Sequence, residues 1–328
     1  MGLVSASSVL DYEKDIIKKH EKTLQKKEKD RTMLTDVQSA NVGPVFLTYR
    51  NQENTSIGEK IAHIAATQEA YSSVIQKQDA TDVDVEHTLW RVDESETDFF
   101  MNEFKSVPNT YVADGHHRSA AAYNVGKLRR ERAMAAGKTV TGEEDFNFFM
   151  SIIYPDTHLR ILEYNRVIRS LNDMSEESFM DRIQENFATL TPIADGASHR
   201  PVGKHQLTML MKKQWYTADI REDLLAEANK GNVVNRLDVQ MFSDKVLRDI
   251  LGITDVRNDQ RVDFVGGSRG LEGVETRCNE DSIAGFVLHP IVIDDLLQTA
   301  DANLAMPPKC TWFEPKPRSG FVVRLFDQ

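Results

Sequence analysis

The densest concentration of reactive side chains in the sequence is Asp114-Gly115-His116-His117-Arg118. Thr110-Tyr111-Val112-Ala113 ahead of it is β-prone, and the alanine-rich Ser119-Ala120-Ala121-Ala122-Tyr123 behind it is helical in character. The whole reads as a strand, a tight turn and the first turn of a helix. Gly115 has no Cβ, so the backbone there can bend sharply and come close to a ligand. The amides that follow open a helix, where unpaired N–H groups and the dipole favour an anion. His116, His117 and Arg118 add three donors at the same place, and Asp114 can hold a cation or a hydroxyl. The chemistry expected of such a turn is phosphate binding.

Other residues could serve it. His20 and Glu21 lie in a stretch over 11–37 dominated by charge, in which Ile16, Ile17, Leu24, Leu34 and Val37 keep a rough helical stripe. On a continuous helix Glu21 and Glu28, seven apart, would share a face. The bland reading is a solvated helix; the sharper one makes Glu21 a base beside a cluster of cations. His158 and Arg160 follow Phe146–Tyr154, the strongest apolar run, and polar residues after a buried strand are where α/β sheets place ligands. A capped turn accounts for them equally well. His87 falls in an expected strand, Val85–Val92. Val262–Gly270 reads as a strand and a glycine-rich turn ending near Arg269, without Walker or Rossmann spacing. The tail Met306–Gly320 is proline-rich yet carries Trp312, Phe313 and several cations. An ordered loop is expected there, with Lys309, Thr311 and Trp312 facing a site, and then a closing strand over Phe321–Phe326.

The elements that must position these residues alternate along the chain. Strands are expected at Gly43–Tyr49 and Ser282–His289, with a hairpin over Gln206–Ile220 that turns at Lys212-Lys213. Helices are expected over 57–77, 96–106, 175–187 with Ser175 as cap, 237–251 ending at Gly252, and 291–302. Gly2–Ser7 looks like a strand entered from upstream, which implies a missing N-terminal portion and an exposed apolar edge. The Lys127–Arg132 cluster reads as a solvated helix face.

The chain has 328 residues, 51 acidic and 40 basic, for a net charge of −11. That global field opposes nucleic acid as a partner. Hydrophobic residues make up 40% and charged residues 28%, values of a soluble globular protein. Two cysteines, Cys278 and Cys310, are too few for a disulfide scaffold and fit a reducing compartment. No apolar run approaches the ~20 residues of a membrane span, and the N-terminus lacks the regions of a signal peptide, so the cytoplasm is the expected location. Asn54-Thr55-Ser56 fits a glycosylation sequon and is treated as chance.

Together these stretches resemble the domain-of-unknown-function family 1015. The residues that carry the resemblance are Lys19-His20-Glu21-Lys22-Thr23, Gly43-Pro44-Val45-Phe46-Leu47, Ala113-Asp114-Gly115-His116-His117-Arg118 and His158-Leu159-Arg160 with Asn165-Arg166. It continues through Asp263–Gly270 and Met306-Pro307-Pro308-Lys309 with Trp312-Phe313. The Asp-Gly-His-His-Arg core is also similar to the nucleotide-phosphate turn of the ParB and sulfiredoxin superfamily, in which the free serine kinases add an earlier His-Glu pair.

The resemblance implies an α+β (mixed α/β) fold, with a ParB/sulfiredoxin-like phosphate-binding region over 1–145 that carries insertions. A C-terminal mixed α/β region over 146–328 would pack against the same site. It also implies a phosphotransferase acting on a small metabolite, free L-serine above all. Glu21, with His20 and His117, would form the catalytic group. Asp114, Gly115, His116, His117, Arg118, Arg269 and Lys309 would bind phosphate from ADP, ATP or pyrophosphate. Asp114 would hold a Mg²⁺, and His158, Arg160, Thr311 and Trp312 would touch the acceptor. About ninety residues separate Glu21 from the turn, so an insertion between them is required. The competing classes are a nucleotide-binding module without chemistry and a metal-dependent phosphohydrolase using Asp114, His116 and His117. Neither nucleic acid nor a membrane is an expected partner; the oligomeric state is left open.

Overall fold

In the computed structural model residues 1–51, 55–77 and 84–326 are described. Asn54 of the sequon lies outside them. The chain folds as two units: Met1–Arg160 with the tail Pro315–Gln328, and Ile161–Glu314. The run after Phe146 falls in the first unit, beyond the division expected at 145, because its strand pairs there on both sides.

In the first unit the order is β1 (Leu3–Ser8), α1 (Val9–Glu13), β2 (Ile17–Lys18), α2 (Gln25–Gln38), β3 (Ala40–Asn41) and β4 (Val45–Tyr49). There follow α3 (Ser56–Thr67), β5 (Ser72–Lys77), β6 (Asp84–Leu89), α4 (Glu94–Phe104), β7 (Thr110–Asp114), α5 (His116–Ala135) and β8 (Phe148–Pro155). A five-stranded mixed sheet runs β1-β8-β4-β7-β2. Its core collects Val45, Leu47 and Tyr49 of β4, Val112 of β7 and Phe149 of β8 against Ile57 of α3.

The charged stretch over 11–37 is not one helix, which corrects the expectation. Asp15 adopts a left-handed φ of 60°, and Lys18 and Lys19 turn back onto its carboxylate at 3.0 and 3.2 Å. The chain then runs through β2 and a loop holding His20 and Glu21 before α2 begins at Gln25. A run of like-sized charged side chains carries little periodicity, so nothing in it announced the break. The helix expected over 57–77 likewise stops at Thr67, and its remainder, Ser72–Lys77, pairs with β6 as a hairpin. The closing strand is shorter than expected, only Arg324–Leu325 against Ala40–Asn41.

The second unit comprises β9 (Arg160–Leu162, beginning on the last residue of the first unit), β10 (Tyr164–Ile168), α6 (Glu176–Asn186), β11 (Ala188–Pro192), β12 (Gln206–Met211), β13 (Gln214–Ile220) and α7 (Glu222–Ala228). It continues with α8 (Asp238–Phe242), a π-helical extension over Ser243–Ile250, β14 (Val262–Gly266), α9 (Gly270–Glu280), β15 (Ala284–Leu288), α10 (Ile293–Asp301) and β16 (Trp312–Glu314). Its sheet is six-stranded and antiparallel throughout, in the order β11-β13-β12-β15-β10-β14. Ser175 caps α6 by accepting from Ser178 N–H at 3.1 Å. Lys212 and Lys213 both take positive φ, 51° and 63°, which makes the two-residue hairpin loop whose twist matches its strands. Phe242 and Phe286 meet at 4.8 Å in the core. The architecture is α+β, and among the described residues no helix is long and apolar enough to cross a membrane.

Candidate active site

The turn after β7 is built as its sequence requires. β4 and β7 pair with a shift in register: Phe46 faces Asp114 while Leu47 faces Val112, so Ala113 is an extra residue. Such a bulge bends a strand and re-aims the residue that follows it. Gly115 then takes φ 102° as N-cap of α5, a conformation that disfavours a side chain. Arg118 N–H and Ser119 N–H both bond Gly115 O, at 2.8 and 2.9 Å. The amides of Gly115, His116 and His117 therefore precede the helix ladder, at the positive end of a 20-residue helix.

Arg118 folds back over this turn. A Cβ at Gly115 would lie 3.0 Å from Arg118 Nε, and a Cβ at Gly43 would lie 3.0 Å from its Nη1 and 2.9 Å from Ser319 Oγ. The guanidinium is thus held between two glycines, with the loop before β4 on one side and the helix start on the other. Burial lowers its pKa and Arg31 adds to that, while Asp114 opposes them.

Asp114 has a partner that sequence reasoning missed. Lys316 Nζ lies 2.9 Å from Asp114 Oδ2. Burial pushes the Asp114 carboxyl up, but Lys316, Arg118 and the Gly115 amide outweigh it, and the net shift is downward. Lys316 comes from the C-terminal segment, anchored by Gly320 N–H to Val42 O at 2.8 Å and by the pairing of Arg324–Leu325 with β3. The available signal was the spacing of Lys316 and Arg318 by prolines, which stiffens a strap.

β2 pairs parallel with β7, Ile17 beside Thr110 and Lys18 beside Tyr111. Parallel strands end on the same side, so the residues after Lys18 emerge beside Asp114. His20 meets His116 edge to face at 4.5 Å, and Glu21 Oε2 lies 3.8 Å from His116 Nδ1. The interval between Glu21 and the turn is filled by α2 to α4 and the β5–β6 hairpin. Glu28 is placed differently: it accepts from Thr23 Oγ1 at 2.6 Å and from Asn124 Nδ2 at 2.8 Å, tying α2 to α5. His117 Nε2 accepts from Leu24 N–H at 3.0 Å, which leaves the ring proton on Nδ1 and clasps the Glu21 loop.

Both His20 and His116 are buried, 2% and 5% exposed. Burial, then His116, holds His20 well below the usual imidazole range against the pull of Asp114. Burial, then His117 and Lys19, brings His116 down to about 3. Both rings are neutral at pH 7. The His20 nitrogens and His116 Nε2 are buried without a hydrogen-bond partner among the described residues. In the unfolded chain these imidazoles titrate near ~6.5, so below that pH the unfolded state binds protons that the native state refuses. Stability supplied by the pair is present above ~6.5 and is lost as pH falls toward the folded values. The thermal midpoint is expected to drop from pH 7 to pH 5, and His20→Gln with His116→Gln to flatten that slope. NMR signals of both rings titrating near pH 6.5 in the folded protein would refute it.

His158 and Arg160 lie beyond the end of β8 that pairs with Tyr49, whereas Asp114 pairs with Phe46 at the other end of β4. His158 Nδ1 sits 3.4 Å from the N-terminal amine. Arg269, Lys309, Thr311 and Trp312 belong to the second unit. There Lys309 stands over the Tyr164 ring at 5.6 Å, and Arg269 is exposed. The glycines of the Gly266-Gly267 turn serve packing: a Cβ at Gly266 would lie 2.6 Å from the Trp312 ring, and one at Gly267 2.4 Å from Leu162.

Among the described residues no three His, Cys, Asp or Glu side chains are grouped to hold a metal by themselves. Mg²⁺ commonly takes one or two carboxylates and completes its shell with water and substrate phosphates. Asp114 is the carboxylate of the turn, and its Oδ2 is already paired with Lys316.

Residues 1–240 match the family described as Protein of unknown function (DUF1015). The chain belongs to this family. No curated protein matches it. Among solved structures it is similar to a free serine kinase variant in complex with AMP, at 9% identity and TM-score 0.45, covering 95% of this chain and 87% of that one. It is also similar to SbnI with a C-terminal truncation from Staphylococcus aureus, at 9% identity and TM-score 0.46 over 98% and 87% of the two chains. A conserved hypothetical protein from Pyrococcus furiosus gives 10% identity and TM-score 0.39 over 97% and 93%.

Proposed function

We propose that this member of the family is a phosphotransferase that moves the terminal phosphoryl of a phosphate donor to the hydroxyl of a small metabolite, free L-serine above all. The observation that supports it most is the Glu21 carboxylate 3.8 Å from His116, at the mouth of the Gly115–Arg118 turn. A base is thereby set beside a cationic cradle. The donor's phosphates lie on the amides of His116 and His117, with Arg118 and Lys316 as counter-charges. Charge spread over the transferred phosphoryl meets donors already in place, which is how such sites lower the barrier. Mg²⁺, when bound with the donor phosphates, adds further charge neutralisation.

Glu21, 37% exposed, is open to an alcohol. It takes the hydroxyl proton as the alcohol oxygen bonds to the terminal phosphorus. The bridging P–O bond breaks with its electron pair leaving on the donor, which departs one phosphate shorter. His20 and His116, being neutral, do not themselves weaken Glu21 as a base.

Phosphorus NMR tests this on the full chain with Mg²⁺, L-serine and ADP, ATP or pyrophosphate in turn. A phosphomonoester signal growing as the donor is consumed is expected. Donor consumption without the ester points to a phosphohydrolase, and donor binding without turnover to a nucleotide-binding module; either overturns the proposal.

A further inference from the structure

One flank of the phosphate turn borders a cavity of about 480 Å³ that lies wholly within the first unit. Ile61 of α3, Trp90, Tyr154 of β8 and Pro44 give it a largely apolar and aromatic wall. Two of its lining residues, Lys316 and Arg318, are cationic. Lys316 reaches Asp114 at 2.9 Å, and Arg318 Nη1 is buried without a hydrogen-bond partner among the described residues. Pro44 follows Gly43, against which the Arg118 guanidinium packs. Pro44 and Lys316 therefore link the lining of the cavity to the turn. His87 also lines it; burial, then Arg318, lowers its pKa, leaving a neutral ring able to donate and accept at a heterocycle edge.

The strand order assigns the two flanks different parts. β2, which leads to Glu21, is on one side of β7, while β8 and β1, which border the cavity, are on the other, beyond β4. In phosphoryl transfer the attacking and leaving oxygens stand roughly in line on opposite sides of phosphorus. An alcohol activated at Glu21 therefore puts the leaving group, and whatever it carries, on the cavity side.

We infer that the cavity holds the body of the donor, a planar heterocycle on a sugar-sized linker, so that the donor is a nucleotide and not pyrophosphate. The assignment of flanks rests on the phosphotransferase reading; the chemistry of the occupant rests on the cavity itself. Its volume falls in the range of small-ligand sites, about 300–1,000 Å³. Aromatic walls stack on any base, and polar groups that are few set its orientation. Pyrophosphate would meet the cations and leave the apolar wall to water.

Isothermal titration of the full chain with ADP, adenosine and pyrophosphate tests this, beside the cavity-filling variant Ala65→Trp and, as a second probe, Tyr154→Leu. ADP is expected to bind at least tenfold more tightly than pyrophosphate, and adenosine measurably by itself. Ala65→Trp should weaken ADP at least tenfold and leave pyrophosphate unchanged. Equal affinity for ADP and pyrophosphate in the unaltered protein, or no ADP binding, overturns the inference whatever the variants do. If ADP binds in the expected pattern while no alcohol is phosphorylated, the cavity assignment stands and the phosphotransferase reading falls.

Discussion

Glu21→Gln is expected to lower phosphoryl transfer by about 10²–10⁴-fold, the usual contribution of a positioned general base, with donor affinity within about twofold of the parent. The amide keeps the shape of the carboxylate and cannot take the proton of the attacking hydroxyl. The fold should tolerate it. Glu21 lies in the loop between β2 and α2, 37% exposed, and its 3.8 Å approach to His116 joins a carboxylate to a neutral ring. Steady-state kinetics with separate donor titration checks this. Turnover near that of the parent would remove Glu21 from the mechanism; loss of donor binding with turnover would make it part of the cradle.

The second large effect concerns the two glycines that hold Arg118. Gly115→Ala forces a side chain into φ 102° and presses its Cβ to 3.0 Å from Arg118 Nε. Gly43→Ala makes the same intrusion from the other side, 3.0 Å from Nη1, and no positive φ is involved there. If the guanidinium in its present place binds the donor's phosphates, both should weaken donor binding by about 10–100-fold, the equivalent of a lost charged hydrogen bond of about 1.5–3 kcal/mol. Gly115→Ala should in addition lower the melting temperature, because left-handed backbone costs an alanine about 1–2 kcal/mol. Titration of ADP and of pyrophosphate into both variants, each with its melting curve, separates displacement of Arg118 from backbone strain. Unaltered donor affinity in Gly43→Ala would show that Arg118 does not read phosphate.

What was legible in the sequence shares one property: it is local. Strand, glycine and helix follow one another between Thr110 and Ala135, and the requirement for positive φ at Gly115 is met within a few residues. The hairpin at Lys212-Lys213 and the Ser175 cap were readable for the same reason. The stretch over 11–37 was not, because its charges interact with whatever lies nearby and impose no period. At the glycine-rich turn Gly266-Gly267 the missing Cβ atoms make room for Trp312 and Leu162, a packing requirement that only the folded neighbours reveal.

By itself, the sequence determined the family, the strand–glycine–helix turn from Asp114 to Arg118 and the alternation of strands with helices, since each rests on spacing along the chain. The tertiary structure decided the rest. A parallel pair of only two residues, β2 on β7, sets His20 and Glu21 beside a turn some ninety positions away. The C-terminal strap supplies Lys316 to Asp114 from 202 residues off. Burial then settles protonation, making neutral rings of His20 and His116. Charge and partner choice depend on what surrounds a group in space, and a chain reveals that only when its strands have found their order.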